Sequence, residues 1–387
     1  GAAIAQEDDK PTIRIGSKDF TEQLLMAERS RPMFAILYGF GIAVITLNLT
    51  AVSLGSPLAL TLAPDDLRVA LVGTEAKGGE GSRLDSADVV LEQGAGRLEV
   101  GQGRAGLGEQ PGVVDRHRRV RGEGDGPVED VAVNEAYDGL GSTFELFADA
   151  YQRNALDGRG GILRATVHYG EDYDNAFWNG TRMVFGDGDG RVFQRFTKSL
   201  SVIGHELTHG ITQHTTNLVY QGQPGALNES ISDVFAALVE QYKLGHSADQ
   251  ASWLIGEGLF TDQVSGDGLR SLKAPGTAYD DDVLGKDPQP ATMADYIDTT
   301  DDNGGVHLNS GIPNHAFYRL ASILGGNAWE RAGLIWYDTI TGTEVGVDTD
   351  FAGFAAATES AAESRYGKDS EELKAVTAAW TEVGVLG

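Results

Sequence analysis

The spacing of apolar residues changes character near residue 200. Before that point, residues 133–151 show the three- and four-residue intervals of an amphipathic helix, whereas 162–169 and 182–185 are short apolar runs typical of strands. The Asp-Gly-Asp-Gly run at 187–190 predicts a hairpin turn. Beyond residue 200 the helical spacing recurs, and it predicts helices over 201–215, 227–243, 250–258, 309–324, 327–338, 348–365 and 370–382. The pattern therefore predicts an α+β fold, with a sheet-rich lobe over 120–200 and a mainly helical lobe over 201–387.

Residues 1–119 depart from this pattern. Residues 32–64 contain no charged residue, so their length permits a membrane span, but the Gly and Pro among them favour a buried apolar segment or the core of a signal peptide. Ala3-Ile4-Ala5 resembles the end of a signal peptide and favours export from a bacterial cell. Residues 73–126 are rich in Gly, Arg and Glu and contain no aromatic residue, so they are interpreted as a linker or as anomalous sequence, and the whole of residues 1–119 as an atypical segment with a propeptide or linker role.

Composition excludes several kinds of function. The chain has 387 residues, of which 57 are acidic and 30 basic, for a formal net charge of −27. Such a charge disfavours nucleic acid and anionic membranes as partners, although it leaves membrane contact by residues 32–64 open. The chain has no cysteine, which rules out disulfides, thiolate metal sites and a cysteine nucleophile.

The strongest indication of chemical function is the sequence His205-Glu206-Leu207-Thr208-His209. Two histidines four residues apart lie on one face of a helix, where their imidazoles can share one zinc ion. Glu206 lies between them and can direct its carboxylate at a metal-bound water. Ser201 is the predicted cap of this helix.

A third ligand is predicted downstream. Glu229 follows His209 by twenty residues, and the apolar spacing from 226 to 238 predicts a second amphipathic helix around it. A glutamate on a facing helix would complete two histidines and one carboxylate, the ligand set of an open catalytic zinc site. Asp233, one turn later, can accept the remaining N–H of a ligand histidine.

These residues, with five further blocks in the same order, resemble the thermolysin family of zinc endopeptidases, and most closely its protealysin-like branch. The resemblance runs from about Val120 to the C-terminus, and its blocks are 175–180, 185–190, 222–233, 265–270 and 302–311. It implies one catalytic zinc held by His205, His209 and Glu229, in a cleft between the sheet-rich and helical lobes.

The resemblance also implies roles for other residues. Glu206 would be the general base, His307 and Tyr220 would stabilise the oxyanion, and Asp302 would hold His307 protonated. Residues that would bind the substrate backbone are Asn175, Ala176 and Arg270. Residues that would line the primed-side pocket are Phe193, Val202, Ile255, Leu259 and Leu269. The implied activity is a secreted, zinc-dependent neutral endopeptidase that cleaves protein or peptide substrates on the amino side of bulky apolar residues.

The sequence departs from thermolysin at the positions that bind calcium in that family. The pair of calcium ions in thermolysin needs several carboxylates, and Glu240 and Glu257 of this chain match two of those positions. Other residues stand at the remaining acidic positions: Ser201, Ser252 and Leu254. Two carboxylates rarely hold two calcium ions, so the double site is not expected to be complete. Calcium binding is left open, and residues 261–267 are the place where a second site could form.

Two other functions fit parts of the chain. Residues 10–23 resemble the first strand and loop of osmoprotectant-binding proteins of ABC transporters, but the aromatic cage that such a ligand requires is not evident in the N-terminal region. A catalytically inactive, zinc-stabilised relative is the second alternative. Glu206 and His307 disfavour it, because a structural zinc site has no use for a base.

Overall fold

The computed structural model describes residues 85–92, 97–104 and 118–387. The proposed signal remnant at 3–5, the transporter resemblance at 10–23 and the apolar stretch at 32–64 lie outside these residues. Within the described part of the chain, no helix combines the length and the apolar character needed to cross a bilayer.

A six-stranded sheet forms one layer of the described structure. Its strands are β1 (Asp85–Glu92), β2 (Arg97–Arg104), β3 (Arg118–Gly122), β4 (Leu163–Val167), β5 (Ala176–Trp178) and β6 (Met183–Phe185). Their order is β2-β3-β1-β4-β6-β5, which leaves β5 at one edge. The edge position of β5 exposes main-chain groups to which an extended peptide can add as a further strand.

The interpretation of residues 73–126 as a linker is wrong for the part that forms β1, β2 and β3. Strand β1 pairs antiparallel with β2 along its whole length and antiparallel with β4, where Ala87 lies opposite Val167. Main-chain pairing does not require the aromatic residues whose absence favoured a linker, and one of the strands that β1 pairs with, β4, is distant along the chain, with Leu91 opposite Leu163.

The predicted hairpin turn at 187–190 is also wrong. Strand β6 pairs antiparallel with the preceding strand β5, so the hairpin is closed by residues 179–182. After β6 the chain leaves the sheet, and the Asp189 carboxylate accepts hydrogen bonds from the N–H groups of Arg191, Val192 and Phe193. An Asp side chain that bonds the following backbone is as typical of an open loop as of a hairpin.

The helices occupy most of the chain after residue 200, as the periodicity predicts. They are α1 (Val131–Tyr151), α2 (Leu200–Gln213), α3 (Gly222–Leu244), α4 (Asp302–Asn309), α5 (Gly311–Leu324), α6 (Arg331–Thr341), α7 (Phe351–Tyr366) and α8 (Glu371–Glu382). Short 3-10 turns at Phe196–Lys198 and Met293–Asp295 and two-residue strands β7 (Leu254–Ile255), β8 (Arg270–Ser271), β9 (Asp280–Asp281) and β10 (Gly285–Lys286) connect them.

Helices α2 and α3 pack closely against each other in the interior. A Cβ added to Gly204 of α2 would lie 3.2 Å from the Cα of Ala236 in α3, so the glycine permits the close approach. Both helices bury side chains on most of their faces, which is why their polar residues must find partners inside the protein.

The predicted helix over 250–258 is absent from the structure. Leu254 and Ile255 form strand β7 instead, and Trp253, Gly256 and Gly258 have positive φ angles that a right-handed helix cannot contain. Strand β7 pairs antiparallel with β8, and the adjacent Trp253 is buried, with its indole N–H donating to the carbonyl of Ala248. Ser201 is likewise not the cap of α2, because the helix begins at Leu200 and the Ser201 hydroxyl accepts the N–H of Gly256.

His168 joins the start of α1 to the loop that follows β6. Its Nε2 lies 2.8 Å from Asp130 Oδ2 and its Nδ1 lies 2.8 Å from Asp187 Oδ2. Asp130 also caps α1, accepting the N–H of Val133. The hydrogen bond to Asp187 raises the pKa of His168, burial lowers it, and Asp130 adds to the rise, so the pKa is about 9.

The protein should therefore become less stable as the pH rises from 6.5 to about 9. A pKa raised in the folded state stabilises the fold fully below the ordinary value of 6.5, and that contribution is lost as the pH rises to about 9. After allowance for solvent screening, we expect a loss on the order of 1–2 kcal/mol in the free energy of unfolding. Denaturant titrations at pH 6.5 and 9 measure it.

The matched variant is His168→Asn, because asparagine tolerates the positive φ of 58° at this position. The variant should be less stable at pH 6.5 and should lose little more stability by pH 9. An identical pH dependence in both chains would contradict the role of His168.

Candidate active site

Three ligand-type side chains converge between helices α2 and α3. The Nε2 atoms of His205 and His209 lie 3.0 Å apart. A carboxylate oxygen of Glu229 lies 3.3 Å from the first nitrogen, and its other oxygen lies 3.4 Å from the second. Among the described residues, these three form a group that could hold a metal ion. The structure thus brings together the two histidines and the glutamate that the sequence predicts as ligands.

Each histidine is oriented by a partner on its opposite ring nitrogen. The Nδ1 of His205 lies 2.8 Å from Asp233 Oδ1, as predicted. The Nδ1 of His209 lies 2.8 Å from Asn228 Oδ1 and 3.2 Å from Ser232 Oγ, two residues that the sequence reasoning missed. Their positions flanking Glu229 on the same helix were the available signal. When Nδ1 donates a proton, Nε2 is left to face the site with its lone pair.

The groups in the site shift one another's pKa. Burial lowers the pKa of His205, but its hydrogen bonds to Asp233 and Glu229 outweigh burial and raise it to about 9. Burial lowers the pKa of His209 to about 4. Burial would raise the pKa of Glu229, but His307, His209 and His205 hold it well below its ordinary value. Near neutral pH the site therefore keeps an ionised Glu229 beside a neutral His209 and a protonated His205, and a cation bound there would displace the proton from His205.

The donor set fits a zinc ion. Glu229 is 1 % exposed, and its Oε2 lies 3.3 Å from His205 Nε2 and 3.6 Å from His307 Nε2, distances longer than those of ordinary hydrogen bonds. Around a tetrahedral ion with bonds of about 2.0–2.1 Å, neighbouring ligand atoms lie about 3.3 Å apart. The observed separations of 3.0, 3.3 and 3.4 Å agree with that spacing.

Arg270 binds Asp233 with both sides of its guanidinium. Its Nε donates to Oδ2 at 2.8 Å and its Nη2 donates to Oδ1 at 2.7 Å. Burial opposes the charge on Asp233, yet Arg270 and His205 hold the pKa of this carboxyl below its ordinary value. The predicted role of Arg270 toward the substrate backbone therefore accompanies a structural ion pair that the sequence did not indicate.

Glu206 follows His205 on α2 and is 6 % exposed. Burial raises its pKa to about 7; nearby His205 lowers the pKa, whereas Glu229 raises it. A carboxylate whose pKa lies near neutral pH can both accept and return a proton, which is the property required of a general base.

His307, Tyr220 and Asp302 form a second cluster beside Glu229. The Tyr220 hydroxyl lies 3.1 Å from His307 Nε2 and also donates to Glu229 Oε1. Asp302 accepts from the backbone N–H of His307 at 2.7 Å, and its other oxygen lies 2.6 Å from the Nδ1 of that residue. The structure thus confirms that these three predicted residues lie together, although it does not test their roles.

A left-handed turn makes the Asp302 contact possible. Residues 302–305 have φ angles of 51°, 48°, 83° and 76°, so α4 is right-handed only after Gly305. Two of the four are glycines, for which this conformation is easy, and Asn303 is the type that tolerates it best after glycine. The turn folds the Asp302 side chain back onto the residue five positions later. Gln289, which the sequence reasoning missed, donates to the carbonyl of His307.

The predicted substrate-binding residues lie in two places. Asn175 and Ala176 lie at the start of β5, at the edge of the sheet. The predicted pocket residues are at most 8 % exposed and belong to the apolar core: Phe193, Val202, Ile255, Leu259 and Leu269. Phe193 bridges to Phe260, and the Leu269 N–H donates to the Ile255 carbonyl, so strands from separate parts of the chain bring these residues together.

Comparisons with known proteins agree with this geometry. Residues 113–213 match the model of the thermolysin metallopeptidase catalytic domain, and residues 216–385 match its α-helical domain. The chain is 54 % identical over 266 residues to an extracellular metalloprotease of Pectobacterium carotovorum, covering 69 % of this chain and 76 % of that protein. It is 39 % identical over 270 residues to thermolysin of Alicyclobacillus acidocaldarius, covering 66 % of this chain and 46 % of that protein.

A solved structure extends the agreement to the fold. The precursor of protealysin, a metalloproteinase from Serratia proteamaculans, is 57 % identical and superposes with a TM-score of 0.68, covering 70 % of this chain and 83 % of that one. The matched regions include the histidine pair, Glu229 and the His307 cluster. The chain belongs to the thermolysin family of metallopeptidases.

Proposed function

We propose that the protein is a zinc-dependent endopeptidase with one zinc ion held by His205, His209 and Glu229. The observation that carries the proposal is the convergence of two imidazole nitrogens and a buried carboxylate, whose Oε2 makes contacts to His205 and His307 that are longer than ordinary hydrogen bonds. A buried carboxylate with such weak partners is stabilised by a cation. Metal analysis of the purified chain is the direct test.

The residues around the ligands supply the proton chemistry. A zinc ion held by His205, His209 and Glu229 would supply Lewis-acid chemistry, since it would polarise a carbonyl group and lower the pKa of water. Glu206 accepts a proton from the attacking water and passes it to the leaving nitrogen, which its pKa of about 7 favours. His307 and Tyr220 donate hydrogen bonds to the carbonyl oxygen as negative charge develops there. Asp302 fixes the orientation of His307 through its Nδ1.

Substrate binding is proposed on both sides of the scissile bond. Asn175 and Ala176, at the edge strand β5, bind an extended peptide backbone, which is the usual way in which a free strand edge recognises a peptide. Arg270 binds the backbone on the primed side, next to an apolar pocket. The expected substrates are therefore proteins or peptides with a bulky apolar residue after the scissile bond.

The domain division and location are also proposals. We divide the chain into an N-terminal segment (1–119), a sheet-rich lobe (120–200) and a helical lobe (201–387). The pairing of β1 and β2 with β3 and β4 supports extending the sheet-rich lobe back to Asp85. Relatives such as those of Pectobacterium carotovorum and Serratia marcescens are named extracellular metalloproteases, which supports secretion of this chain.

Calcium binding remains a minor proposal. Glu240 is partly buried, and burial together with repulsion by Glu257 raises its pKa to about 7, while a hydrogen bond to Ser201 lowers it. A bound calcium ion would relieve the repulsion between the two carboxylates and favour their ionised forms. Two carboxylates are few ligands for a calcium pair, so we expect activity with zinc alone.

The purified wild-type chain should contain about one zinc ion, and His209→Ala should lose most of it. The variant removes one of three protein ligands and leaves the site with too few donors. Elemental analysis after dialysis against metal-free buffer measures the content. His214→Ala is the matched control, since His214 lies at the exposed end of the same helix. Full zinc occupancy in His209→Ala would rule out the ligand assignment.

Glu206→Gln should keep its zinc and lose about 10²–10⁴-fold in kcat. Glutamine preserves the shape of the side chain but cannot take up a proton. Peptide hydrolysis assayed beside zinc content separates loss of the base from loss of the metal. Glu240→Gln, a similar change on α3, should retain near wild-type kcat. If Glu206→Gln turned over at the wild-type rate, Glu206 would not be the base.

Cleavage should fall on the amino side of Leu, Phe and similar residues. Replacing Leu by Gly after the scissile bond should lower kcat/KM about 10–100-fold, because the pocket loses most of the apolar area that it buries. Mass spectrometry of a cleaved peptide library measures the preference, and Leu269→Ala should weaken it. A library dominated by Arg or Asp at that position would refute the pocket.

A further inference from the structure

The Asp233 carboxylate accepts hydrogen bonds from other residues besides His205. Besides His205 on α2, it accepts two hydrogen bonds from Arg270 on β8 and one from Asn314 on α5. Asp233 is fully buried, so these groups are its whole surroundings in place of water. Four donors from three different elements hold one carboxylate.

Asn314 on α5, like Arg270 on β8, donates to Asp233 from outside helices α2 and α3. Its Nδ2 donates to Asp233 Oδ2 at 2.8 Å, and the residue is 0 % exposed. Its Oδ1 makes no hydrogen bond to any described residue, so the amide is not placed there to satisfy its own polar groups. A buried amide with one unsatisfied oxygen disfavours folding relative to a leucine of similar size. The amide N–H therefore serves the carboxylate that it contacts.

The geometry of the carboxylate shows what this donor adds. Arg270 contacts both oxygens, and His205 takes Oδ1, which leaves Asn314 to hold Oδ2 from the side of α5. A carboxylate fixed at both oxygens keeps Oδ1 aligned with His205 Nδ1, and this alignment directs His205 Nε2 toward His209 and Glu229. Partners in the outer layer of a metal site act on metal affinity through such alignment.

We infer that Asn314 is a positioning residue of the metal centre, which acts through Asp233 on the orientation of His205. The inference rests on the proposed function, since it assumes that His205 is a zinc ligand. Asn314 would thus connect helix α5 to the metal site through Asp233, without a role in substrate binding. A residue that only fastened α5 to α3 would affect stability and leave zinc affinity unchanged.

The test compares Asn314→Leu with Gln241→Leu in the full chain. Gln241 is a suitable control because it is a buried amide on α3, the helix of Asp233, and neither amide atom bonds to a described residue. Zinc affinity is measured by competition with a chromophoric chelator, and the visible absorption of the cobalt(II)-substituted chain reports ligand geometry. Thermal unfolding of the metal-free chains shows how much each change affects the fold alone.

Asn314→Leu should raise the zinc dissociation constant about 10-fold and alter the cobalt spectrum, the lower end of the range for outer partners of metal ligands. Gln241→Leu should match the wild type in both. Asn314→Ser, which is smaller and remains polar, should weaken zinc binding as well, and it carries the test if the leucine variant does not fold.

Equal zinc affinity and an unchanged cobalt spectrum in the Asn314 variants, with a wild type that binds zinc, would overturn this inference alone. A wild-type chain that binds no zinc would overturn the proposed function, and the inference with it. The two failures are therefore distinguished by the wild-type measurement.

Discussion

The structure around the site depends on the burial of charge without water. Glu229, Asp233 and Arg270 are at most 9 % exposed, beside the two ligand histidines and Glu206. Ionised groups are stable in such a place only when each has an opposite charge or a set of hydrogen bonds. Arg270 and His205 compensate Asp233 with short hydrogen bonds, whereas Glu229 Oε2 lies 3.3 Å from His205 Nε2 and 3.6 Å from His307 Nε2. The weaker compensation of Glu229 is what favours a cation at this centre.

The same requirement explains why the helices near the site are so closely connected. Asn314 on α5, Arg270 on β8 and His205 on α2 all meet at one carboxylate on α3. Gln289 and Asp302 bind the backbone and ring of His307 from two sides. Each of these polar contacts replaces water in the interior, so the groups that perform chemistry are held by the packing of the whole helical lobe.

The sheet supplies the opposite wall of the proposed substrate path, and it is built from distant parts of the chain. Strand β5, which carries Ala176, is an edge strand, while β1 to β3 extend the sheet on its other side. The N-terminal strands add to β4 and leave the β5 edge open. Strands β1 to β3, from a region whose composition favoured a linker, therefore form one side of the sheet. Along the chain they are far from His205, His209 and Glu229.

The sequence by itself determined that His205 and His209 share one face of a helix, because a four-residue interval has this effect whatever surrounds it. Glu229 lies beside them because its helix α3 packs against α2. The sequence also determined most helices after residue 200, since their apolar faces repeat every three or four residues. Only tertiary structure decided the rest. Residues 254–255 form a strand that pairs with β8, and β1 pairs with the distant strand β4 as well as with its neighbour β2. Asp233 accepts hydrogen bonds from Arg270 and Asn314, which lie 37 and 81 residues away along the chain. No local pattern encodes contacts at such distances.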